Sequence, residues 1–235
     1  MTDTEIMVTD QTSGEYVRTY ERNVNSNAVN MQAVVPMRAG IQDWFTLYAQ
    51  HLGDESITLP DGSTTVKHVL TRRPMPSDLE GVENESEDTG NSNTTSASVL
   101  SKSFYLDEKI IETLQLNGTV RFRATVAVKS SGTTDIAYID SVKFSLYKID
   151  SSGTSTQLGS TRTVSVDMQN NTTTYLEKSV VALLDLSSET LEAAQKLYAK
   201  IDIWGHTAGS TDTFDVRMSY DAGTSKTYVE IGVEE

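Results

Sequence analysis

The fold is decided by residues 119–129, TVRFRATVAVK, in which apolar and polar side chains alternate. Apolar residues stand at every second position from Val120 to Val128, and arginine or threonine stands at three of the four positions between them. Successive side chains of a β-strand point to opposite faces of the sheet, so a period of two places one row in a core and the other in water. The stretch therefore predicts a long strand with one buried face.

The same alternation continues through the part of the chain after Ser98. Strands are predicted wherever it recurs, at 142–147, 197–204, 214–219 and 229–233, and also at 99–106, at 175–184 and as a short pair within 158–166. Residues 187–195 predict one or two helical turns, because a serine there can cap the first turn. Strands at this spacing favour a β-sandwich, and about eight of them in two sheets favour a jelly roll.

The first part of the chain predicts additional β structure. Strands are expected at 15–22, 28–35 and 56–59, and residues 64–70 can pair with the last of these across the turn residues 60–63. Residues 41–52 fit two structures equally well: Ile41, Trp44, Phe45 and Tyr48 form a helical stripe, yet the sequence WFTLY is also good strand composition. This part is either a second β module or a set of strands and an arm added to the sandwich.

Composition and spacing together predict an all-β chain in three parts. These are an N-terminal β region or arm at residues 1–75, an acidic polar linker or exposed loop at 76–97, and a jelly-roll β-sandwich of about eight strands at 98–235. The linker is assigned because residues 78–88 contain six acids and no base. The acids lack the spacing and the glycine of an EF-hand, so no metal site is predicted there.

The charge and the cysteine count exclude several classes of protein. Thirty-three acidic against 19 basic residues give a formal charge of −14, which argues against direct binding to nucleic acid. Without cysteine, a disulfide framework, a thiolate zinc site and a cysteine nucleophile are all excluded. No apolar run reaches 18 residues, so no transmembrane segment is expected.

Residue patterns typical of catalysis are not found. The three histidines, His51, His68 and His206, do not stand at metal-ligand spacing, and no nucleophile elbow or phosphate loop occurs. Asp140 and Asp202 lie on the polar faces of predicted strands, which indicates solvated charges. The hypothesis that the chain is a hydrolase is supported only by the abundance of carboxylates. The sequence therefore predicts that the chain is not an enzyme and has no catalytic residue, cofactor or metal.

Outward aromatic residues are the strongest candidates for a binding surface. Trp204 and Tyr198 share the outer face of one predicted strand, and Tyr147 lies on that of another. They form a sugar-binding platform, a protein interface or a layer covered by the N-terminal region. Two weaker signals are a basic pair and a set of glycosylation sequons, at Arg72, Arg73, Asn84, Asn93, Asn117, Asn170 and Asn171.

Part of the chain resembles β-sandwich proteins of virions. The resemblance lies in LYKI at 146–149 running into DSSG at 150–153, in TQLG at 156–159, and in LEAA at 191–194 leading into LYAK at 197–200. The whole chain, acidic and free of cysteine, is similar to the small single jelly-roll capsid proteins of halophilic archaeal viruses with an internal membrane. In that group the jelly rolls stand upright on the capsid, and one of two capsid proteins carries an extra β tower. The resemblance therefore implies that residues 1–75 are part of a base or tower module.

The resemblance implies a structural protein of the virion capsid, which builds or decorates an icosahedral shell by symmetric contacts. The expected partners are copies of the chain and other capsid proteins, with membrane-associated virion proteins and glycans as further partners. The alternative function is a carbohydrate-binding or adhesin module on the surface of a virus or a cell.

Overall fold

The chain divides into two units in a computed structural model that describes the backbone at residues 4–10, 15–24, 27–33, 43–72, 85–220 and 227–234. One unit comprises Met1–Ile41 with Glu235, and the other comprises Gln42–Glu234. Every regular element in the described ranges is a strand, which confirms the all-β prediction. Over the same ranges, no helix is long and apolar enough to cross a membrane.

The smaller unit contains a three-stranded antiparallel sheet. Its strands are β1 (Thr4–Asp10), β2 (Glu15–Val24) and β3 (Asn27–Ala33), in that order. β2 and β3 match the strands predicted at 15–22 and 28–35, apart from residues 34–35, which lie outside the described residues. β1 was not predicted, since its sequence TEIMVTD contains only three apolar residues.

The larger unit has a front layer of four antiparallel strands. In spatial order these are β12 (Ser155–Asn170), β11 (Ala137–Ile149), β14 (Lys196–Thr207) and β9 (Ala97–Leu106). In β14 every second residue from Leu197 to Thr207 is nearly inaccessible to solvent, as the alternation of its sequence predicts. The two short strands predicted within 158–166 are in fact one continuous strand, because β11 offers hydrogen-bond partners along almost its whole length.

The back layer is organised around the 17-residue strand β10 (Leu114–Ser130), which contains the stretch 119–129. β13 (Leu176–Leu191) pairs along one side of it, and β15 (Phe214–Ser219) and β16 (Tyr228–Glu234) pair with its two ends on the other side. β8 (Glu85–Asn91) extends this layer beyond β15, and β4 (Asp43–His51) extends it beyond β16. β7 (His68–Thr71) then joins the layers, since it pairs with β4 and lies parallel to β9.

The core lies between the two layers. Phe122 of β10 and Phe144 of β11 are fully buried, with ring centroids 5.4 Å apart, although their strands are not ladder partners. A contact of this kind crosses the space between two sheets, as in a sandwich. Eight strands, β9 to β16, lie between residues 97 and 234, in agreement with the predicted number.

The helical turns predicted at 187–195 are wrong. β13 continues to Leu191, whose register partner is Leu114 at the start of β10. Ser188 takes a positive φ of 33° beside an irregularity in the ladder, and a turn follows in which the Glu192 amide donates to Oε1 of Gln195 at 3.0 Å. The ladder with β10 therefore outcompetes the local capping preference of serine.

Residues 43–91 supply strands to the large sheet. Residues 43–51 form strand β4, so the strand alternative is the correct one for that stretch. The hairpin predicted between 56–59 and 64–70 is confirmed for its inner part, where β5 (Ile57–Thr58) pairs with β6 (Thr65–Val66). Residues 68–70 belong instead to β7, which pairs with β4. The units divide at Ile41, not near residue 75, and β8 occupies part of the segment that was predicted as a linker or exposed loop.

Candidate functional site

The outer face of the front layer carries aromatic side chains at both ends. The ladder between β11 and β14 places Tyr138 opposite His206 at one end and Tyr147 opposite Tyr198 at the other. Between them, Lys143 of β11 faces Asp202 of β14. Cross-strand neighbours on one face lie about 4.5–5.5 Å apart at Cβ, so the register alone brings these pairs into contact.

A histidine–carboxylate pair occupies one end of this face. Nδ1 of His206 lies 2.9 Å from Oδ2 of Asp140, and the His206 ring stacks on Tyr138 at 4.5 Å with an interplanar angle of 7°. Asp140 reaches the histidine because it has no partner in the ladder with β14, which is irregular between Ile139 and Ser141. Such a bulge re-aims a side chain. The prediction of a solvated charge at Asp140 is therefore corrected, since the carboxylate is held by His206.

Trp204 does not offer an open ring to a sugar. Nζ of Lys143 lies 3.3 Å from the centroid of its ring, and Nε1 is buried without a hydrogen-bond partner. Asp202, on the same face, forms an ion pair with Lys200 at 3.2 Å, in agreement with its predicted outward position. A stacking platform needs an uncovered ring face, and the ammonium group of Lys143 occupies that position.

The three tyrosines at the other end are covered by the hairpin. Tyr147 and Tyr198 stack at 4.9 Å and 9°, and Tyr105 lies 4.8 Å from Tyr198. Leu59 and Val66, in and beside the β5–β6 hairpin, pack on this cluster and leave Tyr198 only 9% exposed. Burial also raises the pKa of Tyr105. Tyr147 and Tyr198 therefore form a layer that is covered by residues of the N-terminal region, which was one of the three alternatives for these side chains.

The outer face of the back layer has an exposed apolar stripe, which we define as Val181 and Leu183. These two side chains are 43% and 54% exposed. Their ladder partners on β10 are Arg123 and Arg121, and Arg121 lies 3.3 Å from Glu230 of β16. The sequence signal for the stripe was present but missed: residues 180–184 are all apolar, so β13 has apolar residues on both faces where β10 alternates.

A charged cluster holds the acidic strand β8 to the back layer. Glu87 of β8 accepts a hydrogen bond from the Tyr175 hydroxyl and lies 3.7 Å from Nζ of Lys129, which also pairs with Asp215 at 3.1 Å. The Tyr175 ring in turn contacts the guanidinium of Arg217 at 4.0 Å. The acidic segment forms a strand here because basic side chains of β10 and β15 face its carboxylates. Desolvation, followed by the hydrogen bond and charge of Glu87, raises the pKa of Tyr175.

An apolar pocket opens at one end of the sandwich, between the layers. It has room for about 40 Å³ and is lined mainly by leucine and isoleucine, among them Leu106, Leu116, Leu191 and Ile231. At its rim, Nε of Arg72 lies 3.0 Å from Oε2 of Glu108, and the guanidinium lies 4.1 Å above the Phe45 ring. Arg72 is thus paired within the chain, and Arg73 lies outside the described residues.

Two of the three histidines come together in space. His51 and His68 are ladder partners on β4 and β7, with ring centroids 4.9 Å apart, and Nε2 of His68 lies 3.2 Å from the Tyr220 hydroxyl. No group of three residues able to ligate a metal occurs in the part of the chain with described side chains. The contact could not be predicted from sequence, because it depends on the register between two strands 17 residues apart.

One of the sequons is a structural asparagine. Asn170 is 6% exposed, and its Nδ2 donates to the carbonyl oxygens of Val128 at 2.7 Å and Thr174 at 2.8 Å. A glycan on that nitrogen would remove both hydrogen bonds from a buried site. Asn84 lies outside the described residues.

No protein-family model matches the sequence, and no curated protein is similar to it in sequence. Solved structures do match in fold. An α-amino acid ester hydrolase matches at a TM-score of 0.50 and 11% identity, over 80% of this chain and 36% of that one. A CocE/NonD family hydrolase from Staphylococcus aureus matches at 0.49 and 11%, over 92% of this chain and 41% of that one. The chain thus spans about two fifths of the length of these hydrolases.

The match to the α-amino acid ester hydrolase contradicts the prediction that the chain is not an enzyme. The absence of catalytic motifs does not exclude an enzyme, because a fold of this kind forms part of an ester hydrolase. The physical reason is that a β-sandwich makes up only a portion of such a protein, so its own sequence need not contain the motifs. At 11% identity, the similarity to this hydrolase shows only that the two proteins share a fold.

A viral structure also matches, at a much lower score. The VP2 subviral particle of infectious bursal disease virus matches at a TM-score of 0.27 and 9% identity, over 96% of this chain and 48% of that one. A score of this size carries no argument beyond the shared β character. The matches give no support to the narrower resemblance to capsid proteins of halophilic archaeal viruses.

Proposed function

We propose that the chain is a structural β-sandwich subunit of a virion, which packs against copies of itself and other shell proteins. The observation that carries the proposal is the apolar stripe. Val181 and Leu183 lie side by side on the outer face of a sheet whose neighbouring outward residues, Arg121, Arg123 and Asp185, are charged. Exposed apolar residues rimmed by charged ones are typical of protein interaction sites.

The charge around the stripe supports a contact with an acidic surface. Arg121 and Arg123 border the stripe on β10, in a chain that carries a net charge of −14. Another copy of the same chain carries the same net negative charge and therefore offers carboxylates that can pair with these arginines. Assembly in this way matches the function implied by the resemblance to β-sandwich virion proteins, and its location would be the capsid.

The test compares assembly of the wild type with that of Leu183→Asp. Sedimentation velocity and negative-stain microscopy should show particles or oligomers for the wild type and a large reduction for the variant. The control is Leu176→Asp, which places the same charge on the same strand at a leucine that is 45% exposed but lies outside the stripe. A wild type that stays monomeric at every salt concentration, or equal assembly by both variants, would overturn the proposal.

A second candidate, a β-sandwich part of a hydrolase, is favoured by the fold match to the α-amino acid ester hydrolase. Since the chain spans 36% of that protein, the remaining parts would come from a longer protein or a separate chain. The test is to fractionate the native source and assay hydrolysis of amino acid esters. Activity that is removed together with the chain by a specific antibody supports this candidate. Depletion of the chain without loss of activity contradicts it.

A further inference from the structure

We infer that the pocket at the end of the sandwich is the receptor for Ile111 of a second copy, in a reciprocal contact about a two-fold axis. This inference rests on the proposed function and names a contact by which copies meet. The apolar stripe is not part of the contact.

The pocket is apolar and of suitable size for a small aliphatic side chain. Leucine and isoleucine side chains from both layers line it, and its free volume is about 40 Å³. A water-sized group needs roughly 10–15 Å³ of such volume, so the pocket has room for about three or four groups of that size. The side chain of isoleucine has four carbon atoms. Filling an apolar pocket with these carbons removes apolar surface from water on both sides.

Ile111 is the most exposed large apolar side chain among the residues whose side chains are described, at 76%. Its neighbour in sequence, Ile110, lines the pocket and is only 8% exposed. The Ile110 carbonyl accepts a hydrogen bond from the Ala194 amide at 3.0 Å, which fixes the segment against the turn after β13. An exposed apolar side chain therefore directly follows, in sequence, a residue that lines an apolar pocket of the same chain.

Ile111 and the pocket lie next to each other on the same chain, so the surface that they form is complementary to the same surface of a second copy. A two-fold axis beside the patch places Ile111 of each copy over the pocket of the other, which is the arrangement of an isologous dimer. The charged pair at the rim of the pocket is also complementary to its own copy across the axis. Arg72 and Glu108 form an ion pair at 3.0 Å, and both side chains remain 50% and 42% exposed. Across the axis, each can pair with the opposite charge of the other copy without leaving an unpaired charge.

The contact is tested by mixing two variants, since the chain has no cysteine of its own. Ile111→Cys and Phe45→Cys are prepared separately, mixed and oxidised. Phe45 lies at the pocket, so a disulfide between the two variants should give a species of about twice the 25.8 kDa of the chain. Each variant alone should give much less of it. The matched control replaces Ile111→Cys by Leu176→Cys, an exposed leucine on β13.

A second measurement removes the contribution of the stripe. In the Leu183→Asp background, we expect a monomer–dimer equilibrium and nothing larger, and adding Ile111→Asp should weaken it at least tenfold. An unchanged dimer in the double variant, or cross-linking equal to that of the Leu176→Cys control, would overturn the inference. If the wild type assembles but either of these results is found, only this inference fails. If the wild type itself remains monomeric, the proposed function fails as well.

Discussion

Nδ1 of His206 lies 2.9 Å from Oδ2 of Asp140, and a glycine, Gly205, directly precedes this histidine on β14. Gly205 pairs with Ile139 immediately before the bulge that carries Asp140. A Cβ at position 205 would clash with the backbone carbonyl oxygen of Tyr138. The backbones of β11 and β14 therefore approach here more closely than any residue but glycine permits.

Gly205→Ala should destabilise the protein. The added methyl meets backbone and not the end of a flexible side chain, so β14 must move away from β11, and we expect a loss of about 1–3 kcal/mol, the usual cost of overpacking. Urea unfolding followed by circular dichroism measures it. Gly132→Ala is the control, because a Cβ there meets only the carboxylate of Asp135, at 3.0–3.1 Å, which can turn aside. Equal stability of the two variants would contradict the clash.

Removing the hairpin contact should uncover the tyrosine cluster. Leu59 is 7% exposed and packs with Tyr198 and Ile149. Leu59→Ala should cost about 2 kcal/mol, at the low end for buried leucines, because a hairpin whose two strands have only two residues each can collapse towards the gap. The near-ultraviolet circular dichroism of the stacked tyrosines should weaken in parallel. Leu176→Ala, at an exposed leucine, should change stability by less than about 0.5 kcal/mol.

A feature of this fold can be predicted from sequence when it depends on residues that are close together in the chain. The alternation of residues 119–129 is local, and it correctly gives the buried face of β10, including Val120, Phe122 and Val128. The end of β13 was missed because a serine cap is also local, whereas the ladder from Leu114 to Leu191 joins residues far apart in sequence. Local signals identify strands, and only the register decides where they end.

The candidate sites likewise differ in whether they depend on local sequence or on strand register. The stripe could have been predicted, since the apolar run 180–184 leaves apolar residues on both faces of a strand. The pairing of His206 with Asp140 could not, because it needs a bulge and a ladder that bring together two residues 66 positions apart. The pocket receives residues from six strands, so no stretch of sequence identifies it.

Tyr175 should make stability sensitive to alkaline pH. Its pKa is raised above the ordinary value of 10.0, chiefly by desolvation and then by Glu87. The folded state therefore favours the protonated phenol. This contribution is fully present below pH 10 and is lost as the pH rises through the raised pKa. Tyr175→Phe also lacks the hydrogen bond to Glu87, so it should be less stable than the wild type at neutral pH, by less than about 1.5 kcal/mol.

The measurement is the unfolding free energy of both proteins between pH 8 and the highest pH at which they refold. We expect the difference between wild type and Tyr175→Phe to shrink as the pH rises above 10, because the wild type loses stability more steeply. Tyr138→Phe, in the front layer, controls for the loss of a phenol as such. A difference that stays constant over this range would show that Tyr175 does not contribute to the pH dependence.

Assembly should increase with salt concentration. Each copy carries a formal charge of −14, so copies that approach one another repel. Between 0.01 M and 1 M salt the screening length falls from roughly 30 to 3 Å, which removes most of this repulsion. The apolar contacts at Leu183 and Ile111 are not screened. The rim pairs of Arg72 and Glu108 lose little, because exposed ion pairs contribute only about 0–1 kcal/mol.

The expected result in sedimentation velocity is therefore a larger mean size at 1 M than at 0.01 M NaCl. A comparison of NaCl with sodium sulfate at equal ionic strength separates the two causes. Screening depends on ionic strength alone, whereas sulfate also strengthens apolar burial. Further growth in sulfate that disappears in the Ile111→Asp, Leu183→Asp double variant would identify the apolar contacts as the attractive force. A size that is the same at every salt concentration would mean that charge repulsion does not limit assembly.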